Sequence, residues 1–300
     1  MRYLDLYQSG ELHQRVKAAY ARLRHCDLCP HECGTDRIAG QTGFCRAGLK
    51  LKVASANIHR GEEPPISGTR GSGTIFLSWC TLRCRFCQNF PISQMGNGEE
   101  VSSSGLAERM LKLQRQGVHN INFVTPGHYL PQILAALLLA VPKGFRLPLV
   151  WNTSGYEKAD TLRLLEGIVN IYLPDMKYFE EEPAVRFSSA PRYPDINRAA
   201  ILEMLRQVGH LELNDDGIAV KGLIIRHLVL PERAAGSRET LRWIADNAGT
   251  ETHIALMNQY FPAHLAAETP GIHRKITDEE YAAAVAALEE YGLENGWVQE

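Results

Sequence analysis

The chain has 300 residues, 45% of them apolar and 22% charged, which excludes wholesale disorder and allows a large core without disulfide staples. Its longest apolar run, Ile133–Val141, is far shorter than the ~20 residues a membrane span needs. The net charge of −2 hides a split: residues 1–60 carry ten Lys/Arg against five Asp/Glu, and residues 278–300 carry seven acids and no Lys or Arg. The basic segment suits an acidic partner surface, nucleic acid or a solvated face. The opening stretch contains acids and no apolar segment, so no secretory signal is read there and a cytoplasmic location is expected.

Residues 9–25 read as an amphipathic helix, with Leu12, Val16, Ala19, Tyr20 and Leu23 at helical spacing and Ser9 as N-cap. A cysteine-bearing loop follows, and TIFLS then gives a strand leading into Cys80. Ser104 caps a helix through LAERMLKLQRQ that Gly117 stops. INFV is a buried strand, and YLPQILAALLLA is a helix with Pro131 in its first turn. LPLVWN, EKADTLRLLEG and IVNIYLPD read as strand, helix and strand. A longer helix covers 194–208, a hairpin turns at Asn214–Gly217, and KGLIIRHLVLP supplies a further strand. Ser237 caps RETLRWIADNAG, THIALMN is a strand, and Thr277 with Glu280 forms a capping box.

Six β-then-α units imply a parallel sheet covered by helices. Six are too few to close an eight-fold barrel, so the expected fold is α/β, an open partial (β/α)6 barrel. Residues 1–65 form an N-terminal helix and cysteine-rich extension, and residues 66–300 form the barrel with a C-terminal helix. Ligands in such folds gather at the C-terminal strand ends. Cys87, Thr125, Asn152, Asp175, His227 and Met257 lie near such ends and should share one rim.

All seven cysteines fall within the first 87 residues, in two groups. An odd number argues against a disulfide framework. Cys80, Cys84 and Cys87 have the spacing CX3CX2C in the loop CTLRCRFC. A closed structural zinc needs four ligands and this loop supplies three. A [4Fe–4S] cube held by three thiolates keeps one iron open for an outside ligand.

This loop after a first barrel strand resembles the signature of the radical S-adenosylmethionine (SAM) superfamily. The resemblance implies an open iron that binds the amino and carboxylate groups of SAM. Reductive cleavage of SAM then gives a 5′-deoxyadenosyl radical. CDLCPHECGTDRIAGQTGFC, HRGEEPPISGTRGSGTIFLSWCTLRCRFCQN, WNTSGYE, YLPDMKYF and MNQYFP are similar to uncharacterised relatives of pyruvate formate-lyase activating enzymes. Those enzymes abstract hydrogen from a glycine of a partner protein. By this resemblance Phe86 lies beside adenine, and Thr125, Gly127 and His128 of TPGHY replace a GGEP turn, His128 standing for its glutamate. Asn152, Thr153 and Ser154 lie near the cofactor, and Asp175 and Lys177 contact it. Asp175, Thr153 and Asn152 offer hard oxygens to a monovalent cation. His227 and Gln259 are further cofactor candidates; Arg226 and His227 face opposite ways, so at most one faces the barrel interior. The implied partners are an electron donor such as flavodoxin or ferredoxin and a protein or peptide substrate, without membrane or nucleic acid.

Cys26, Cys29, Cys33 and Cys45 form a separate CX2CX3CX11C group. Four thiolates suit a tetrahedral zinc or a second [4Fe–4S] cluster. Two functions stay open: a radical SAM enzyme, or a non-catalytic metal-binding scaffold docking on protein or nucleic acid.

Overall fold

Glycine punctuates the N-terminal helices. The computed structural model describes residues 1–299; its first helices, α1 (Arg2–Gln8) and α2 (Glu11–Ala21), part at Gly10, where φ is +81°. The predicted helix therefore starts at Glu11, with Ser9 closing α1 instead of capping α2, and its last turn, Arg22–His25, is a 3₁₀ helix. Residues 26–50 contain no helix or strand.

The elements that follow are β1 (Leu51–His59), α3 (Pro64–Ser67), β2 (Ser72–Leu77), α4 (Phe90–Ser93), β3 (Glu99–Val101), α5 (Ser103–Arg115) and β4 (Ile121–Val124). Next come α6 (Leu130–Ala140), β5 (Leu149–Thr153), α7 (Ala159–Leu162), β6 (Ile171–Pro174), α8 (Glu181–Ser188) and α9 (Tyr193–Val208). The chain ends with β7 (Glu212–Leu213), β8 (Ala219–Leu228), α10 (Ser237–Ala248), β9 (His253–Met257), α11 (Asp278–Glu290) and β10 (Gly296–Val298).

The strands form one sheet in the order β10-β9-β8-β6-β5-β4-β2-β1-β3, with β7 hairpinned onto β8. β2, β4, β5, β6, β8 and β9 are parallel and each leads into a helix, which gives the six expected units. β10 adds a parallel edge, while β1 and β3 pair antiparallel at the other. The ends of this order do not pair, so the fold is an open partial barrel. The boundary expected at residue 65 falls between β1 and β2, which are hydrogen-bonded neighbours.

Alternation along each strand separates two faces. Leu149, Trp151, Tyr172, Leu223 and Ile225 pack with α5, α6 and α9 in the outer core. Their alternates Val150, Ile171, Leu173 and Ile224 form a smaller apolar floor on the concave side with Ile66 of α3. β5 is buried at every position because both faces of a parallel strand are covered. The α5 cap is Ser102, whose Oγ accepts the Gly105 N–H at 3.1 Å, two residues before the predicted cap. Gly236 precedes α10, so Ser237 is its first residue and not its cap. The Thr277–Glu280 capping box is present at α11. No helix among the described residues is long and apolar enough to cross a membrane.

Candidate functional site

Six loops at the C-terminal ends of the parallel strands bring the predicted residues to one rim. The loop after β2 carries Cys80, Cys84 and Cys87, all unpaired in disulfides and half-buried. Each sulfur meets a polar hydrogen or hydroxyl. The Leu82 N–H donates to Cys80 Sγ at 3.3 Å and the Ser188 hydroxyl to Cys84 Sγ at 3.0 Å. Cys87 Sγ lies 3.1 Å from Ser93 Oγ. The last turn of α8 fixes the loop further, since Ser188 and Phe187 carbonyls accept the Arg83 and Arg85 N–H groups.

Burial pushes the Cys84 thiol up to about 11 against the opposing Lys177 charge, and burial followed by the neighbouring Cys84 raises Cys80. Free thiolates are disfavoured here, and a bound cation would reverse that. Among the described residues no three His, Cys, Asp or Glu side chains surround a single-ion position. A four-iron cube spreads three thiolates over different irons and asks for no such convergence. Three adjacent thiols, each beside a hydrogen-bonding group, fit the cube.

The strand ends beside this loop are strained. Thr125 after β4 has φ +56° and Trp79 after β2 has φ +70°, left-handed values that non-glycine residues rarely adopt. Thr125 N–H still donates to the Asn152 carbonyl at 2.8 Å, which holds the TPGHY turn onto β5.

His128 corrects the sequence reading. Its ring is fully buried, with Nε2 2.9 Å from the Ser78 carbonyl oxygen, and desolvation lowers it to about 3. It is a neutral packing group and does not stand in for a carboxylate. The acid at this turn is Glu157, from the loop after β5. A Cβ placed on Gly127 would lie 2.5 Å from Glu157 Oε2, so glycine leaves room for that carboxyl. Burial raises Glu157 to about 7, opposed by the Thr153 hydroxyl, which donates to Oε1 at 2.6 Å.

On the concave face, above the apolar floor, lies a polar cluster. Asp175 Oδ1 accepts Arg226 Nε at 2.8 Å and Oδ2 accepts Lys177 Nζ at 2.6 Å. Arg226 also donates to Asn152 Oδ1 at 2.6 Å, and Asn152 Nδ2 lies 3.4 Å from Glu62 Oε2. Burial pushes the Asp175 carboxyl up, but the Arg226 and Lys177 charges outweigh it and hold the group below its usual range. The Glu62 carboxyl is raised by burial, with Arg226 opposing.

The proposed cation ligands do not converge. Thr153 follows the outer parity and serves Glu157, whereas Asp175 and Asn152 face inward and are committed to Arg226 and Lys177. His227 is the second correction: its ring nitrogens lie 2.6 Å from the Met176 carbonyl oxygen and 2.9 Å from Ser237 Oγ, on the helix side. Desolvation lowers it to about 4. Arg226, one residue earlier, takes the concave face. Phe86 is buried edge-on to Tyr260, with centroids 5.7 Å apart. Gln259 is exposed, and its carbonyl accepts from Gln88 of the cysteine loop at 3.1 Å. Ser154 contributes its carbonyl, which accepts the Tyr193 hydroxyl. Sequence reasoning singled out neither Glu157, Glu62 nor Ser188; the first two stood inside the quoted motifs WNTSGYE and HRGEEPP.

The four remaining cysteines sit directly against this loop. His31 stacks on Phe44 with centroids 3.7 Å apart, and its Nε2 lies 2.8 Å from the Thr81 carbonyl oxygen. Cys26, Cys29 and Cys45 are buried and Cys33 is exposed. Burial and the neighbouring Cys45 raise the Cys29 thiol. A cleft of about 380 Å³ between the starts of α10 and α11 contains no cysteine, so donor chemistry and not cleft size locates the site.

A model of the radical SAM superfamily matches residues 74–232. An uncharacterised protein of Methanocaldococcus jannaschii is 30% identical over 299 residues, covering 97% of this chain and 82% of that protein. The solved [FeFe]-hydrogenase maturase HydG superposes with a TM-score of 0.51 at 11% identity, covering 79% of this chain. The chain spans 54% of that structure, and the likeness is one of fold. A HydG structure from Carboxydothermus hydrogenoformans gives a TM-score of 0.48 at 12% identity, over 99% of this chain and 68% of that one.

Proposed function

The chain belongs to the radical SAM superfamily, and from that membership we propose that it holds a [4Fe–4S] cluster on Cys80, Cys84 and Cys87 and abstracts hydrogen from a protein or peptide, as a glycyl-radical-enzyme activase does. Cluster and SAM, when bound, supply the electron and the 5′-deoxyadenosyl radical.

The carrying observation is the trio of adjacent thiols, each beside a hydrogen-bonding group, at the end of the first parallel strand. The Leu82 N–H and the Ser188 hydroxyl stabilise sulfur-borne negative charge. Lys177 adds a positive charge beside Cys84 and is oriented by Asp175. Arg226 and Asn152 keep the concave face polar above Val150, Ile171 and Leu173, so a substrate entering there meets fixed donors and acceptors. The activase-like subtype rests on the quoted motifs, with the acid at the TPGHY turn supplied by Glu157. A macromolecular substrate is supported by the unclosed sheet, which leaves the concave face open at one side. A flavodoxin- or ferredoxin-type donor suits the basic N-terminal segment that borders the cysteine loop.

The test is anaerobic reconstitution with iron and sulfide, a metal count, and assay of 5′-deoxyadenosine after adding SAM and dithionite. About four irons on the three-cysteine loop with 5′-deoxyadenosine support the reading. Zinc alone, with no 5′-deoxyadenosine, overturns it in favour of the scaffold.

A further inference from the structure

Three cations gather without an anion beside the three-cysteine loop. Arg46 and Lys52 both lie over the indole of Trp79, with Arg46 Cζ 5.8 Å and Lys52 Nζ 5.7 Å from the ring centroid. Arg83, inside the loop, donates through Nη2 to the Phe44 carbonyl, two residues before Arg46, and lies 5.1 Å over the Phe44 ring. No ion pair among the described residues includes any of the three. Glu99 and Glu100 of β3, which pairs with the strand of Lys52, are taken by Arg109 and Lys50.

The centre of this face is apolar. Trp79 immediately precedes Cys80 and is half-buried, its ring packed on Gly96, where a Cβ would lie 2.3 Å from the indole. Met95, beside that glycine, is 62% exposed. Trp79 and Arg46 both hold left-handed backbone, at φ +70° and +59°. Strain of this kind persists only where the surroundings impose it, and it clusters at functional sites. Cation–π attraction offsets part of the mutual repulsion of the three charges, and an anionic partner would relieve the rest.

Trp, Met and Arg are enriched in protein docking faces, and cations at a rim steer an acidic partner. Nucleic acid suits this face less well. A phosphate backbone needs a track of cations, and the exposed Glu99 and Glu100 border the patch along β3. We propose that the Trp79 face docks a small acidic electron carrier of the flavodoxin type, with carboxylates against Arg46, Lys52 and Arg83 and a flavin edge against Trp79 and Met95. A flavin is favoured because its planar aromatic edge can meet an indole and a thioether. This rests on the reading of the chain as an enzyme that cleaves SAM reductively at Cys80, Cys84 and Cys87. Trp79 precedes Cys80 and Arg83 precedes Cys84, so a partner seated here meets the cysteine loop directly. One electron passes: the partner's reduced flavin loses it and the cluster core gains it, with no bond made or broken.

The test uses the full chain, reconstituted anaerobically, with oxidised flavodoxin as the probe. Its Kd is measured by calorimetry at low and high salt on wild type, on Arg46→Glu/Lys52→Glu, and on Lys17→Glu of α2. The double variant should bind ~100-fold more weakly at low salt, with most of the difference gone at high salt. It should keep wild-type 5′-deoxyadenosine formation driven by dithionite, which also reports that it folds. Lys17→Glu should stay within ~3-fold of wild type, as should the charge-keeping pair Arg46→Lys/Lys52→Arg. Should the double reversal not fold, Lys52→Gln alone carries the test, with a ~5-fold loss.

Wild-type affinity in the double variant overturns the inference. An equal loss in Lys17→Glu does so too, since the effect would then be one of overall charge. Ferredoxin or single-stranded RNA bound at this face in place of flavodoxin overturns it and assigns the face to that partner. A wild type that cleaves SAM with dithionite but neither binds flavodoxin nor accepts its electron defeats this inference alone. A wild type that forms no 5′-deoxyadenosine with either reductant defeats the functional reading on which it stands.

Discussion

The two cysteine groups lie side by side yet are built on opposite plans. Cys80, Cys84 and Cys87 hang from the end of a parallel strand, and neutral donors from α8 and the loop itself reach their sulfurs. Cys26, Cys29, Cys33 and Cys45 belong to a stretch without helix or strand, and their neighbour is a fully buried guanidinium. A three-ligand site on a rigid rim is open to an outside ligand, so the scaffold must fix its position. A four-ligand site is closed and can organise the chain around itself, so the chain needs only to supply thiols and a counter-charge. Scaffold holds the first site; the second would hold its own scaffold.

The sharpest way to break this contrast is to remove ligands from each group in turn. Alanine at Cys80, Cys84 or Cys87 should lower 5′-deoxyadenosine formation at least ~10³-fold while the fold survives, because the main core of the sheet is built without these three side chains. Persistent SAM cleavage in all three variants would remove this loop from the chemistry. Serine at both Cys26 and Cys29 should do the reverse, keeping the radical-cluster iron and lowering the unfolding midpoint by ~10–15 °C. Loss of all iron from that double variant would show that the two groups are one site.

The rim itself is tested by Arg226→Met, which leaves Asp175 buried with Lys177 as its one remaining cation. The expected cost is ~3–5 kcal/mol of stability, read by anaerobic urea unfolding. An unchanged midpoint would mean that the Asp175–Arg226 pair contributes nothing to holding the strand ends.

The smallest effect concerns Glu157. Burial raises its carboxyl from the ordinary 4.5 to about 7, so the folded chain holds this proton more tightly than the unfolded chain does. Its contribution is complete below about pH 4.5 and is lost as pH rises through about 7. Glu157→Gln cannot ionise, so its stability relative to wild type should rise with pH and level off above about pH 8, by ~3 kcal/mol. Parallel unfolding curves for the two proteins at pH 5 and pH 8 would exclude an ionising Glu157.

Much of this architecture was legible in the residues. The six parallel strands announced themselves through short apolar runs between helical patterns, and CX3CX2C followed the first of them. What was not legible depended on which way a side chain turned. Arg226 and His227 are adjacent, and strand parity allowed only one of them on the concave face; the pattern did not say which. The structure gives that face to Arg226 because Asp175 on β6 faces it, while the Met176 carbonyl and Ser237 hold His227 outside. His128 carried the right chemistry for a cofactor ligand, but its ring turned to the Ser78 carbonyl. β1 and β10 were missed as strands because each is completed by pairing with distant chain, β1 with β2 and β3 and β10 with β9. Glu157 was hidden for a related reason, since its place beside Gly127 joins two loops more than two dozen residues apart.

That last pairing has a consequence for descent. Gly127 has no left-handed backbone to accommodate, so alanine there would be conformationally free. A methyl group there would come within 2.5 Å of the carboxyl opposite, the far end of a side chain, so alanine at 127 asks Glu157 to move and not the backbone. The two positions are coupled through space, and a shorter residue at 157 should widen what position 127 accepts.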